Sequence, residues 1–331
     1  MDPLIQRWRP TGLIWIGLTL LAFALVSPAS ASLFVALEGD ARGTYSESGG
    51  ADAEVASVGG SLRKVFADRY GDRLILYVQA ESAADFSEAW LHQAYAEWKG
   101  PMGLWNVAAG RVPLPWGLRT AWSPDRLPYS SPYEWTRTPE SDNGVLLRGT
   151  ADMWDYGLAL TQGYGMKGTR DFPGPGNLTG RLGITPGVEG DFTFGLSFAT
   201  GTAYTHGDGH GMGEAMEEER TAAALDCTWN AGRGTYRFEG GARRDEERWH
   251  GTLFGAADYA LLPKLTLQAA GQLYEHAASH IFGRVYGGVS IPLPWFTIRG
   301  GYEYERAERE KEEHADHRFV VQLYRLLSIV R

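Results

Sequence analysis

The chain has 331 residues, 44% of them hydrophobic and 21% charged, and a formal net charge of -9 at pH 7. That acidic balance argues against a nucleic-acid binder. Its single cysteine, Cys227, excludes an intramolecular disulfide framework and a c-type haem, which would need C-x-x-C-H.

Residues 1–31 read as a secretory signal. Arg7 and Arg9 form a positive start, Leu13 to Val26 is an apolar run, and Ala29-Ser30-Ala31 is a small-x-small cleavage site. The mature chain is expected to begin near Ser32. The apolar run is shorter than the roughly 20 residues of a spanning helix, and no later stretch looks like one. An exported chain without such a helix is soluble, or crosses a membrane as a barrel. With 12 Trp, 16 Tyr and a negative mean hydropathy, the composition suits a barrel, which places apolar residues one in two and collects aromatics at the interfaces.

From Ser32 onward the dominant signal has period two. Leu33, Val35, Leu37, Ala41 and Tyr45 alternate with Glu38, Asp40, Arg42 and Thr44. Phe192, Phe194, Leu196 and Phe198 alternate with Thr193, Gly195, Ser197 and Ala199. Leu265, Leu267, Ala269 and Leu273 alternate with Thr266, Gln268, Gln272 and Tyr274, and Ile298, Tyr302 and Tyr304 with Thr297, Arg299, Glu303 and Glu305. One greasy and one polar face, in segments of about ten residues, predict strands with lipid outside and water inside. The expected fold is therefore all-β: one transmembrane antiparallel β-barrel over residues 32–331, of about sixteen strands, with fourteen or eighteen also compatible. The predicted strands are 33–47, 55–66, 73–82, 89–99, 105–112, 144–150, 155–164, 178–186, 192–204, 219–229, 234–246, 248–260, 264–275, 281–291, 296–307 and 316–327.

The connections alternate. Gly100–Leu104, Ala151–Trp154, Gly187–Asp191, Asn230–Arg233, Leu261–Pro263 and Pro292–Trp295 are turn-like, whereas Ser48–Glu54, 113–143, Gly165–Asn177, Thr205–Glu218 and Ala307–Ala315 are longer and polar. With the N-terminus in the periplasm, the longer set falls on the extracellular side, as in bacterial barrels with short periplasmic turns. The longest, 113–143, is the third loop. It is rich in proline and carries Trp122, Tyr129, Tyr133 and Trp135, too many aromatics for a solvated linker. Structureless connections beyond about 12–15 residues are usually functional or disordered. This one is expected to fold into the lumen, with packing on its own aromatics as an outer cap as the rival arrangement.

Alternation also assigns the inward charges. The basic ones are Arg63, Arg148, Arg181, Arg237, Arg243, Arg284, Arg299 and Arg318; the acidic ones are Glu38, Asp40, Glu81, Glu97, Asp226, Glu239, Asp258, Glu303 and Glu305. A lipid-facing Arg or Lys at midplane costs about 2–4 kcal/mol, so this phase is a strong sign of water contact. The expected lining and constriction set is Arg111, Arg119, Arg126, Arg137, Arg148, Arg181, Arg237, Glu239, Arg299 and Glu303. The plainer reading is that many of these pair across the wall and only hold its shape.

Val107-Ala-Ala-Gly110-Arg111-Val-Pro-Leu-Pro115-Trp116-Gly117-Leu118 resembles the strand-end motif of the phosphate-selective O/P-type porins, roughly G-R-x-x-x-P-[FW]-G, and Tyr95-Ala-Glu97-Trp98 resembles the adjoining strand. The resemblance rests on Gly110, Arg111, Pro115 and Gly117. It implies an outer-membrane barrel for small solutes, a trimer in many relatives, with its third loop narrowing the pore. Two departures stand out: the chain ends Leu326-Leu-Ser-Ile-Val-Arg331 instead of on an aromatic residue, and no full arginine ladder is seen.

The function expected is passive diffusion of small solutes or ions, with the lipid bilayer and lipopolysaccharide as surroundings and no cofactor, metal or nucleic acid. The alternative is a sheath around a partner such as a multihaem cytochrome. Thr205-His206-Gly-Asp208-Gly-His210 offers metal-type ligands, but a Gly-rich loop with scattered histidines reads more simply as a linker. His250, His276 and His280 have no catalytic partner spacing. The chain is not expected to be an enzyme.

Overall fold

The computed structural model describes residues 31–83, 89–120, 122, 127–129, 140–163, 176–187, 191–205, 216–245, 248–276, 280–309 and 312–330. Sixteen antiparallel strands close into a barrel in simple sequence order, with β1 paired to β16. They are β1 Ala31–Ser46, β2 Gly50–Asp68, β3 Gly71–Ala83, β4 Ala89–Lys99, β5 Asn106–Pro113, β6 Ser141–Ala151, β7 Trp154–Thr161 and β8 Asn177–Ile184. The second half is β9 Phe192–Thr205, β10 Met216–Ala231, β11 Gly234–Asp245, β12 Arg248–Leu262, β13 Leu265–His276, β14 His280–Pro292, β15 Thr297–Arg309 and β16 Glu312–Val330. No described helix is long and apolar enough to cross a membrane; the crossing is made by strands.

The alternation lands where the sequence places it. On β9, Phe194, Leu196 and Phe198 are exposed on the outer face while Gly195, Ser197 and Ala199 are buried on the inner one. On β10, Leu225 faces out and Ala222, Ala224 and Asp226 face in. Such an outer face is stable only against hydrocarbon. Trp98, Trp105, Trp154, Trp229 and Trp295 stand exposed near the ends joined by short turns, the belt that amphipathic rings form at a membrane interface.

Two expected loops are instead strand. β2 begins at Gly50, so the β1–β2 connection is a short turn, and β15 and β16 are joined across 310–311. These segments carry no large apolar residue, so no apolar period marks them. Their backbone still pairs, as Glu305 with Asp316 and Glu308 with Glu313. β1, β2, β10 and β16 run to 16, 19, 16 and 19 residues. That exceeds the roughly 9–11 residues of a tilted spanning strand, so they project beyond the bilayer. The segments 55–66 and 144–150 are both strand, each longer than its apolar pattern. β16 runs on to Val330, whose partner is Phe34.

Candidate functional site

The connection 114–140 between β5 and β6 is not an outer cap in its described part: residues 114–120, 122 and 127–129 pack on the inner wall. The strand-end motif launches it. Gly110 has φ +123°, and a Cβ there would lie 2.4 Å from the Ala94 carbonyl oxygen, so only glycine suits this bend. After it the alternation breaks, and Arg111 and Val112 are both buried. Leu114 N–H donates to the Glu140 carbonyl at 3.0 Å, closing the root of the loop. Pro115 lies against Gly157 on the inner face of β7, and Trp116 drops into a seat of Ala199, Ala222 and Ala224 on β9 and β10.

Two backbone donors then fasten the crossing. Gly117 N–H donates to Ser197 Oγ and Leu118 N–H to Glu239 Oε2, both at 2.9 Å and buried. Gly117 has φ +50°, and a Cβ there would sit 2.1 Å from that carboxylate oxygen. The chain continues as a 3-10 turn, Gly117–Thr120. Trp122 stacks on Phe254 of β12 with ring centroids 5.7 Å apart, and the Arg237 guanidinium covers its ring at 4.9 Å. Tyr129 meets Tyr286 of β14 at 4.9 Å. Leu118, Tyr129, Phe254, Ala256, Tyr286 and Val320 form one buried cluster. An apolar core thus lies inside the barrel, beside two smaller apolar clusters, one under Trp116 and one around Leu114. Burying each large side chain contributes about 1.5–3 kcal/mol, which holds a loop that lacks regular hydrogen bonding. At its far end His92 lies between two carboxylates, Nε2 at 3.1 Å from Glu81 and Nδ1 at 3.2 Å from Glu140, while Ser141 Oγ–H donates to the His92 carbonyl.

The wall arginines expected to line the lumen do face inward, and they are paired. Arg148 reaches Glu97 at 2.6 Å. Arg181 bridges Asp155 at 2.6 Å and Asp226 at 2.7 Å, gripping the latter through both Nε and Nη2. Room for it comes from Gly183 and Gly195, where a Cβ would overlap this network. Arg237 pairs with Asp258 at 2.6 Å. Arg284 pairs with Glu305, and Arg318 with Glu303. Arg299 donates to Gln322, which in turn donates to Asp40, itself held by Arg42 at 2.7 Å. Carboxylate and guanidinium thus alternate round the inner wall, and the field at the lumen surface is largely local.

The other expected positions divide. Arg119 is on the 3-10 turn inside the lumen. Arg111 is only 6% exposed, buried at the loop root within electrostatic reach of Asp142. Glu239 anchors backbone instead of presenting a free charge. Arg126 and Arg137 lie outside the described residues, as do His206, Asp208 and His210. Among the described residues, no group of three or more His, Cys, Asp or Glu could hold a metal ion. Sequence reading missed the seat itself: Ser197, Phe254, Tyr286 and the alanines under Trp116. Large inward aromatics on β12 and β14 break the small-and-polar inner pattern, and that break was the available signal for a covered wall.

No protein-family model matches this chain, and no curated protein does. Solved structures do. OmpT expressed in the outer membrane of Vibrio cholerae superposes with TM-score 0.67 at 12% identity, over 91% of this chain and 99% of its own. The anion-selective porin of Comamonas acidovorans gives 0.67 at 11%, over 90% and 100%. The outer-membrane channel DcaP of Acinetobacter baumannii gives 0.60 at 11%, over 91% and 99%. At such identities the likeness is one of fold: across most of its length this chain has the β-barrel architecture of outer-membrane porins.

Proposed function

We propose that the chain is exported by a cleaved signal in residues 1–31 and forms a passive diffusion channel for small solutes or ions in a bacterial outer membrane. The observation that carries this is the third loop, docked across the inner wall from β9 to β16 on Ser197, Glu239 and the Phe254–Tyr286 cluster. A loop so placed narrows the path and leaves the β1–β3 side as the route for solute. Support for the channel class also comes from the porins among the structural neighbours. A homotrimer is part of the proposal, since one neighbour is described as a trimer form.

A sheath around a cytochrome needs an open lumen, which a loop docked on the inner wall reduces, so the channel is preferred. Membership of the O/P-type family rests on Gly110, Arg111, Pro115 and Gly117 alone. The pairing of Arg148, Arg181, Arg237 and Arg318 with carboxylates argues for weak rather than strict phosphate selectivity.

The test is purified protein in a planar bilayer under a salt gradient. Stepwise conductance with a modest reversal potential is expected, and deletion of Ala121–Arg137 should raise the step size clearly. Absence of any conductance overturns the channel; a deletion variant with unchanged steps overturns the constriction.

A further inference from the structure

Among the described residues most inward cations of the wall have a carboxylate or amide partner, whereas Arg63 on β2 lies over an aromatic ring. It is exposed on the inner face, and among the described residues it has no carboxylate within ion-pair distance; its recorded neighbour is an aromatic ring, Phe34 of β1, 5.6 Å from the guanidinium carbon. Phe34 and Arg63 are register partners, Arg63 pairs next with Tyr77 of β3, and Tyr77 with Tyr95 of β4. The Tyr77 and Tyr95 rings lie 5.3 Å apart. One row across four neighbouring strands thus reads ring, guanidinium, ring, ring, over three strand spacings or about 14 Å. At one end of the row Tyr95 packs against the apolar cluster that includes Leu114 at the root of the loop. The inward carboxylate two residues from Tyr95, Glu97, is already taken by Arg148 at 2.6 Å and Lys99 at 3.8 Å.

Aromatic faces beside a guanidinium are a poor surface for bare water and a good one for an amphiphilic anion. A guanidinium edge takes a carboxylate through two parallel N–H donors, and rings take a flat apolar group by offset stacking. With one face of Arg63 against Phe34, its donor edge is still open to the lumen.

We propose that Phe34, Arg63, Tyr77 and Tyr95 form a lumenal subsite for a small ring-bearing carboxylate, with its carboxylate on Arg63 and its ring on Tyr77. This rests on the reading of the lumen as a solute path. It gives that path a preference that the paired charges elsewhere do not supply.

The probes are sodium benzoate, sodium acetate and inorganic phosphate, titrated calorimetrically into detergent-solubilised protein. Benzoate is expected to bind at least about tenfold more tightly than acetate or phosphate, since only benzoate uses both guanidinium and rings. Arg63→Gln should weaken benzoate about tenfold or more, the size of a lost charge-assisted pair. Tyr77→Leu should bring benzoate to the level of acetate. Arg63→Lys, which keeps charge and loses the fork, should fall between wild type and Arg63→Gln, and it stands in if the glutamine variant fails to fold. Equal affinity for the three probes, or benzoate binding unaffected by Arg63→Gln or Arg63→Lys, overturns the subsite. Conductance in potassium chloride is recorded in parallel. A conducting barrel indifferent to benzoate overturns the subsite alone; a silent barrel that binds benzoate overturns the channel alone.

Discussion

Gly117 and Glu239 show how one position joins backbone geometry to the site. Replacing Gly117 by alanine sets a Cβ on the Glu239 carboxylate at a left-handed φ. The expected result is loss of the Leu118–Glu239 bond and about 1–3 kcal/mol of loop docking, read as larger and noisier conductance steps with a barrel of unchanged heat-modifiable mobility. Arg181 is the second such position. Arg181→Leu leaves Asp155 and Asp226 facing each other without a cation. Removing one partner of a buried pair costs about 3–5 kcal/mol, so this variant should lose thermal stability in detergent, while Arg148→Leu, at a more open pair, should lose less. At this scale the sequence was half legible. Gly110, Pro115 and Gly117 stand out as a motif, and Arg181 and Asp226 as inward charges. That Gly117 is glycine because of a carboxylate 122 positions away is a tertiary fact that no local pattern carries.

At the scale of elements, the third loop is held chiefly by apolar burial. Trp116→Ala empties the seat over Ala199, Ala222 and Ala224, at a cost of about 3–5 kcal/mol to docking; the loop should become sensitive to added protease while the strands stay resistant. The loop also has an alkaline limit. Burial, with Asp258 nearby, pushes the Tyr129 hydroxyl above the ordinary tyrosine range. The docked loop therefore keeps a proton that a released loop gives up near pH 10. Docking is at full strength below about pH 10 and weakens as pH rises further. Conductance recorded at pH 8 and pH 11 should diverge in wild type, and diverge less in Tyr129→Phe. The existence and parity of this loop were legible because a strand ends at Gly110 and proline and tryptophan follow without period. The extensions of β2, β15 and β16 were not, because a strand in water on both faces carries no apolar alternation to read.

At the scale of the molecule, the barrel divides substitutions by face. Leu225→Arg, on the outer face of β10, should cost about 2–4 kcal/mol or block insertion if it lies near midplane. Ala223→Arg, two residues nearer the loop end on the same face, should cost less, as the price falls towards the interface; folding yield into lipid vesicles measures both. The sequence by itself determined the class of fold, a strand number of about sixteen that left fourteen and eighteen open, and which residues meet lipid, because hydrocarbon penalises every misplaced polar group strand by strand, and that penalty is written locally with period two; closure at sixteen came from the structure. Only the tertiary structure decided where the third loop lies and which charges remain open to solute. Those outcomes depend on side chains brought together from β1, β2, β9, β11, β12 and β14, across separations at which the chain keeps no period.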